Sequence, residues 1–179
     1  MSIANQVRRV AALLKQKSFK VVFAESCTAG LVAASLARVP GISEHHCGGM
    51  VVYRNATKEA YLGISARLLK NPGPVSEAVA REMAVRVLKL TSEADISASV
   101  TGHLGPDAPA QLEGVVYIAI AMPRTSSSQS VSKGAKEGSS RHPAVMVLRH
   151  RCLTRNRLAR QKEATCEVLA QLANVLESL

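Results

Sequence analysis

The chain has 179 residues, 47% of them apolar, with only 3% aromatics and no tryptophan. That is the size of one ordinary domain with a core of Val, Leu, Ile and Ala, which favours α/β layers over an aromatic-rich sandwich. The net charge of +10 is compatible with an anionic small molecule or a polyanion as partner, while four cysteines without a C-x-x-C pair argue against a disulfide framework or a zinc ribbon.

The predicted elements follow in order. Ile3, Val7, Val10, Leu13 and Leu14 recur at helical spacing, so residues 3–17 form an amphipathic helix. The run "FKVVFA" (19–24) is a short strand. From Thr28 the chain turns helical through "AGLVAASLARV" and stops before Pro40-Gly41. "CGGMVVY" (47–53) is a second strand, followed by a short helix at 55–64 with Asn55 as N-cap. After the Pro-Gly-Pro turn, Ser76 caps a helix over 77–91. Strands are expected at 95–102, 115–122 and 143–152, and a closing helix at 155–179.

Residues 124–142 are rich in Ser, Gly and Lys and too poor in apolar area to fold, so a mobile surface loop is expected there. The βα alternation of the first half implies parallel strands. The loop between 102 and 114 is too short for a crossover helix, so the third, fourth and fifth strands run antiparallel. The expected fold is a single three-layer α/β/α sandwich with a mixed five-stranded sheet. No stretch reaches the roughly 18 to 20 apolar residues that span a bilayer, so the protein reads as soluble and cytoplasmic.

Ligands of open α/β sheets gather at the carboxyl ends of parallel strands. Three segments share such a rim: "ESCTAG", "YRNATK" and "TGHLGP". Ser26 stands at a strand-to-helix turn, where it is either an N-cap or a nucleophile in need of a base. Backbone amides at the start of the following helix are placed to hold an oxyanion. The candidate bases are His45, His46, His103 and Lys58, with Tyr53 as a proton relay. Cys27 is a rival nucleophile or a packing residue. Gly102 and Gly105 either admit a phosphate or make a plain turn. No histidine pair or carboxylate cluster has metal-ligand spacing, so neither metal nor cofactor is expected.

Arg149, Arg151, Arg155, Arg157, Arg160 and Lys162 fall within fourteen residues that contain no acid. They are a solvated helix face, a phosphate contact or a polyanion patch.

Taken together, "AESCTAGLVAASLARVPGIS", "GGMVVYRNATKEAYLGIS", "PGPVSEAVAREMA", "SVTGHLGP" and "GVVYIAIA" resemble the CinA C-terminal domain family, whose active members are nicotinamide-nucleotide amidases. The resemblance covers roughly residues 5–122. It implies a mixed five-stranded α/β/α fold and hydrolysis of the carboxamide of nicotinamide mononucleotide to the nicotinic acid form and ammonia. It assigns Ser26 as nucleophile, Lys58 as general base and Tyr53 as an assisting group. It places Thr28, Gly30, Thr101, Gly102 and Gly105 around the ligand and aligns Arg157 with an arginine suited to the substrate phosphate.

The chain departs from the family pattern at His103, Leu104, Asp107 and Pro109, where small residues are usual, and in "LTRNR", which lacks a glycine. It reads as the stand-alone form without the large N-terminal domain of some members. The expected partner is a pyridine nucleotide, with a homo-oligomer possible, no membrane, and nucleic acid disfavoured. A catalytically silent nucleotide-binding protein of the same fold and a basic nucleic-acid-binding module are the alternatives.

Overall fold

The computed structural model describes residues 2–123 and 143–179. The Ser-rich stretch 124–142, expected as a mobile loop, lies outside them. The strands are β1 (Val21–Glu25), β2 (His46–Val51), β3 (Ile96–Gly102), β4 (Val115–Met122) and β5 (Ala144–Arg151). The helices are α1 (Ile3–Lys17), α2 (Leu31–Leu36), α3 (Asn55–Leu62), α4 (Ala66–Lys70), α5 (Glu77–Leu90) and α6 (Arg157–Ser178). One five-stranded sheet runs in the order β2-β1-β3-β4-β5. β1 pairs parallel with β2 and β3, and the β3–β4 and β4–β5 pairs are antiparallel. This is the mixed three-layer sandwich expected from the sequence.

Strand alternation divides the core between the two faces. Val21 and Phe23 of β1, with Ile96, Ala98 and Val100 of β3, pack under α1, α2 and α6. Val22 and Ala24 point the other way, against α3, α4 and α5. On that second face β3 turns Ser97, Ser99 and Thr101 inward, and all three are buried. Their hydroxyls donate to the carbonyls of Ala84 (2.8 Å), Ala80 (2.6 Å) and Pro74 (2.8 Å). Buried hydroxyls need such partners, and the short side chains bring α5 close to the sheet.

Three local expectations are corrected. The helix expected from Thr28 begins at Leu31, because residues 27–30 form a turn with Ala29 (φ 54°) and Gly30 (φ 94°) in the left-handed region. Asn55 is the first helical residue rather than the cap, which is Arg54, its amide donating to Thr57 Oγ1 at 3.1 Å. A five-residue helix, α4, and a 3-10 turn at Ile42–Glu44 occupy ground left unassigned. The four cysteines, all among the described residues, form no disulfide. Among the described residues no helix is long and apolar enough to cross a membrane.

Candidate active site

β1 ends at Glu25 and delivers Ser26 to the carboxyl rim of the sheet, where the Ser26 amide donates to the Val100 carbonyl at 3.0 Å. Lys58, on α3 beyond the neighbouring strand β2, reaches back to it. Lys58 Nζ lies 3.0 Å from Ser26 Oγ, 2.9 Å from the Val52 carbonyl and 3.3 Å from the Tyr53 carbonyl. Both side chains are buried, Lys58 at 1% exposure. Burial pushes the Lys58 pKa down from 10.5, opposed by a smaller contribution from Cys27. A neutral amine has two hydrogens and one lone pair. The two carbonyls can hold both hydrogens, which leaves the lone pair for the serine hydroxyl.

Glu25 explains the shape of the turn. Its Oε2 accepts from Thr28 Oγ1 (2.6 Å), Gly30 N (3.0 Å) and Val32 N (3.1 Å), and Oε1 accepts from Ala33 N (2.8 Å). A carboxylate at a helix start satisfies orphan donors and the helix dipole together. The sequence leads one to expect these first helical amides at an oxyanion, but the amides of Gly30, Val32 and Ala33 are already engaged. The amides of Cys27 and Thr28 stand outside this network.

The remaining sequence-derived candidates fall in distinct places. Thr28 is fully buried with its hydroxyl turned to Glu25, and its carbonyl accepts from Gln161 Nε2 at 3.1 Å. Gly30 takes the left-handed conformation that a side chain disfavours. Thr101 is committed to Pro74. At Gly102 a Cβ would come within 2.5 Å of Val116 Cγ1 and 2.7 Å of the Val115 carbonyl, so glycine there admits β4.

Tyr53 is half exposed. Its hydroxyl accepts from Arg157 Nη2 at 2.6 Å, while Arg157 Nη1 donates to the Gly105 carbonyl at 2.7 Å. Tyr53 therefore meets Lys58 through its main chain and Arg157 through its ring. Arg157 ties the β2–α3 segment to the β3–β4 loop.

Burial, aided by Cys152, pushes the Cys27 thiol up to about 12, so it is neutral at ordinary pH and packs in the core. The histidines have other duties. His45 Nδ1 meets the Phe19 carbonyl at 2.9 Å and His46 Nε2 meets the Ala33 carbonyl at 3.2 Å, while His103 pairs through its main chain with Glu113 and Val115 and it is Lys58 that reaches Ser26. Leu104, where the family pattern has a small residue, is buried in the core.

The sequence leaves Glu25 open between orienting the turn and pairing with Lys58; its four bonds give it the first role, and the two carbonyls that hold Lys58 were not foreseen. A carboxylate closing a strand just before a helix was the available signal for the first. A groove of about 1360 Å³ lies elsewhere, between α1, α2 and α6, and neither Ser26 nor Lys58 lines it.

A mixed three-layer α/β/α sheet with a buried serine–lysine pair at its carboxyl rim defines the class of protein. The chain belongs to the CinA C-terminal domain family, whose model matches residues 4–173. It is 43% identical over 128 residues to a CinA-like protein of Prochlorococcus marinus, covering 70% of this chain and 30% of that one. The chain spans less than a third of the length of the curated relatives it matches first. The fold recurs in solved crystal structures. The competence/damage inducible protein CihA of Agrobacterium tumefaciens has a TM-score of 0.82 at 26% identity over 98% of this chain and 95% of that one. A competence-damaged protein (CinA) superfamily protein of Klebsiella pneumoniae has a TM-score of 0.83 at 25% identity over the whole of both chains.

Proposed function

We propose that the protein is an amidohydrolase acting through Ser26 and Lys58, with the carboxamide of nicotinamide mononucleotide as substrate. The observation that carries this reading is the 3.0 Å contact between a buried Lys58 Nζ and Ser26 Oγ, with two main-chain carbonyls fixing the amine. The nucleotide comes from the family resemblance.

Neutral Lys58 takes the Ser26 proton as Oγ attacks the carboxamide carbon. The amides of Cys27 and Thr28, which Glu25 does not engage, are the donors next in the chain for the oxyanion. In well-studied enzymes one such donor contributes roughly 3 to 4 kcal/mol. Lys58 passes its proton to the leaving nitrogen and ammonia departs. Water then attacks the acyl-enzyme, gives a proton to Lys58, and the acid leaves as Ser26 recovers its hydrogen. Arg157, whose guanidinium touches Tyr53 and Gly105, is the cation available to the substrate phosphate.

The test is ammonia release from nicotinamide mononucleotide by the purified protein. Ser26→Ala should abolish it and Cys27→Ala should retain it. Full activity in Ser26→Ala with loss in Cys27→Ala would reverse the nucleophile. Tight nucleotide binding without ammonia release would favour the silent binding protein.

A further inference from the structure

Away from Ser26, three side chains of different chemistry converge where β5 meets α6. His150 and Cys152 are two apart on an extended segment, so they project from the same side. That side faces α6, because Cys152 belongs to the core under that helix. Glu163 comes from α6 opposite them. The His150 ring nitrogen, the Cys152 sulfur and a Glu163 carboxylate oxygen all lie within 4.8 Å of one another. Such a set is invisible in sequence, because its third member is eleven residues away on another element.

We infer that His150, Cys152 and Glu163 form a binding site for a divalent transition metal ion of the zinc class. One imidazole, one thiolate and one carboxylate make the mixed donor set that zinc and cobalt accept, the Cys152 proton passing to solvent as the metal binds, and three protein ligands leave a fourth position open. His150 Nε2 and Glu163 Oε1 are 3.3 Å apart, a spacing two ligands can keep around one tetrahedral ion.

The surroundings supply what a ligating carboxylate needs. Glu163 Oε1 also accepts from Leu153 N (2.8 Å), and Oε2 accepts from Thr154 N (3.0 Å) and Thr154 Oγ1 (2.7 Å). These bonds orient the carboxylate and stay in place when a metal replaces only its contact with His150. His150 and Glu163 also line the groove between α1, α2 and α6, which gives an ion access and room for a water as fourth ligand. The bound ion clips the end of β5 to α6.

The test is a cobalt titration of the metal-free full chain followed by absorbance. One equivalent should bind, giving a thiolate-to-cobalt charge-transfer band and the strong visible bands of four-coordinate cobalt, and zinc should displace it. Cys152→Ser should remove the charge-transfer band. His150→Gln should weaken binding at least about tenfold. Cys27→Ser, Cys166→Ser and Ser26→Ala should all keep the site, the last separating this inference from the amidase reading.

Zinc at a hundredfold excess over its Kd should raise the Tm by roughly 5 to 10 °C, and should raise it less in His150→Gln. If saturating cobalt gives no charge-transfer band, or the band survives in Cys152→Ser, the site is refuted. If Cys152→Ser does not fold, unchanged cobalt affinity in His150→Gln refutes it instead.

Discussion

A lysine is a base only when it is neutral, and the burial of Lys58 works in that direction. The folded protein lowers its pKa from 10.5 because the charged form is the one that loses water. Under the serine–lysine reading, kcat/KM should therefore climb with pH through that lowered value and level off above it, with a midpoint below 10.5. Tyr53→Phe keeps the main-chain carbonyl that holds Lys58 and removes only the hydroxyl that Arg157 grips. The midpoint should stay where it is in that variant. If Tyr53 and Arg157 act together on the nucleotide, KM should rise roughly tenfold, about the value of one hydrogen bond to a charged group. A pH–rate series on both proteins checks this, and a midpoint at or above 10.5, or one that moves with Tyr53→Phe, contradicts it. Spacing alone left Lys58 as one base among four, and the family resemblance singled it out. His45 and His46 are set aside by their contacts to Phe19 and Ala33, which no spacing reveals.

At the scale of the element, the six-residue helix α2 is too short to stand on its own propensity. Glu25 holds its start through four donors: one hydroxyl and three amides. Glu25→Gln would turn an amide group toward donors that need an acceptor. The expected loss is about 2 to 4 kcal/mol, the sum of a lost cap and an unpaired buried donor. It should appear as a lower urea midpoint at unchanged m-value. An unchanged midpoint would mean that the turn is held by its backbone alone. Strand directions were legible because the β3–β4 connection is too short for a crossover, and α5 because Ser76 caps it. The start of α2 was not, because Ala and Leu continue the helical pattern back through a turn that only φ angles disclose. The helix α4 escaped because its five residues, Ala66–Lys70, carry less than two turns of periodicity.

Over the whole molecule, the rim is assembled from segments far apart in the chain, and the basic C-terminal stretch does much of the joining. Arg151 donates to the carbonyls of Gln111 and Glu113. Arg157 holds Gly105 and Tyr53. Arg160 pairs with Glu113 at 2.8 Å and donates to the carbonyls of Leu104 and Thr154. In sequence these cations read equally well as a polyanion patch, because a run of arginines does not show what each one touches. Here three of them stitch the β3–β4 loop to α6 and β5. A polyanion site would need them free to face phosphates, and each freed counterion would steepen the salt dependence. The expected outcome is weak duplex DNA binding at about 0.15 M salt, changed less than about threefold when Arg149 and Arg155 are both replaced by Gln. Arg157→Gln should act differently under the amidase reading. It should raise KM for nicotinamide mononucleotide by roughly tenfold or more, the loss of a charge-assisted phosphate contact. The same change should leave turnover of the riboside, which lacks the phosphate, nearly unaltered. Equal losses on nucleotide and riboside would mean that Arg157 serves only to hold Gly105 and Tyr53 in place. A steep DNA salt slope that disappears on replacing Arg149 and Arg155 would restore the polyanion patch.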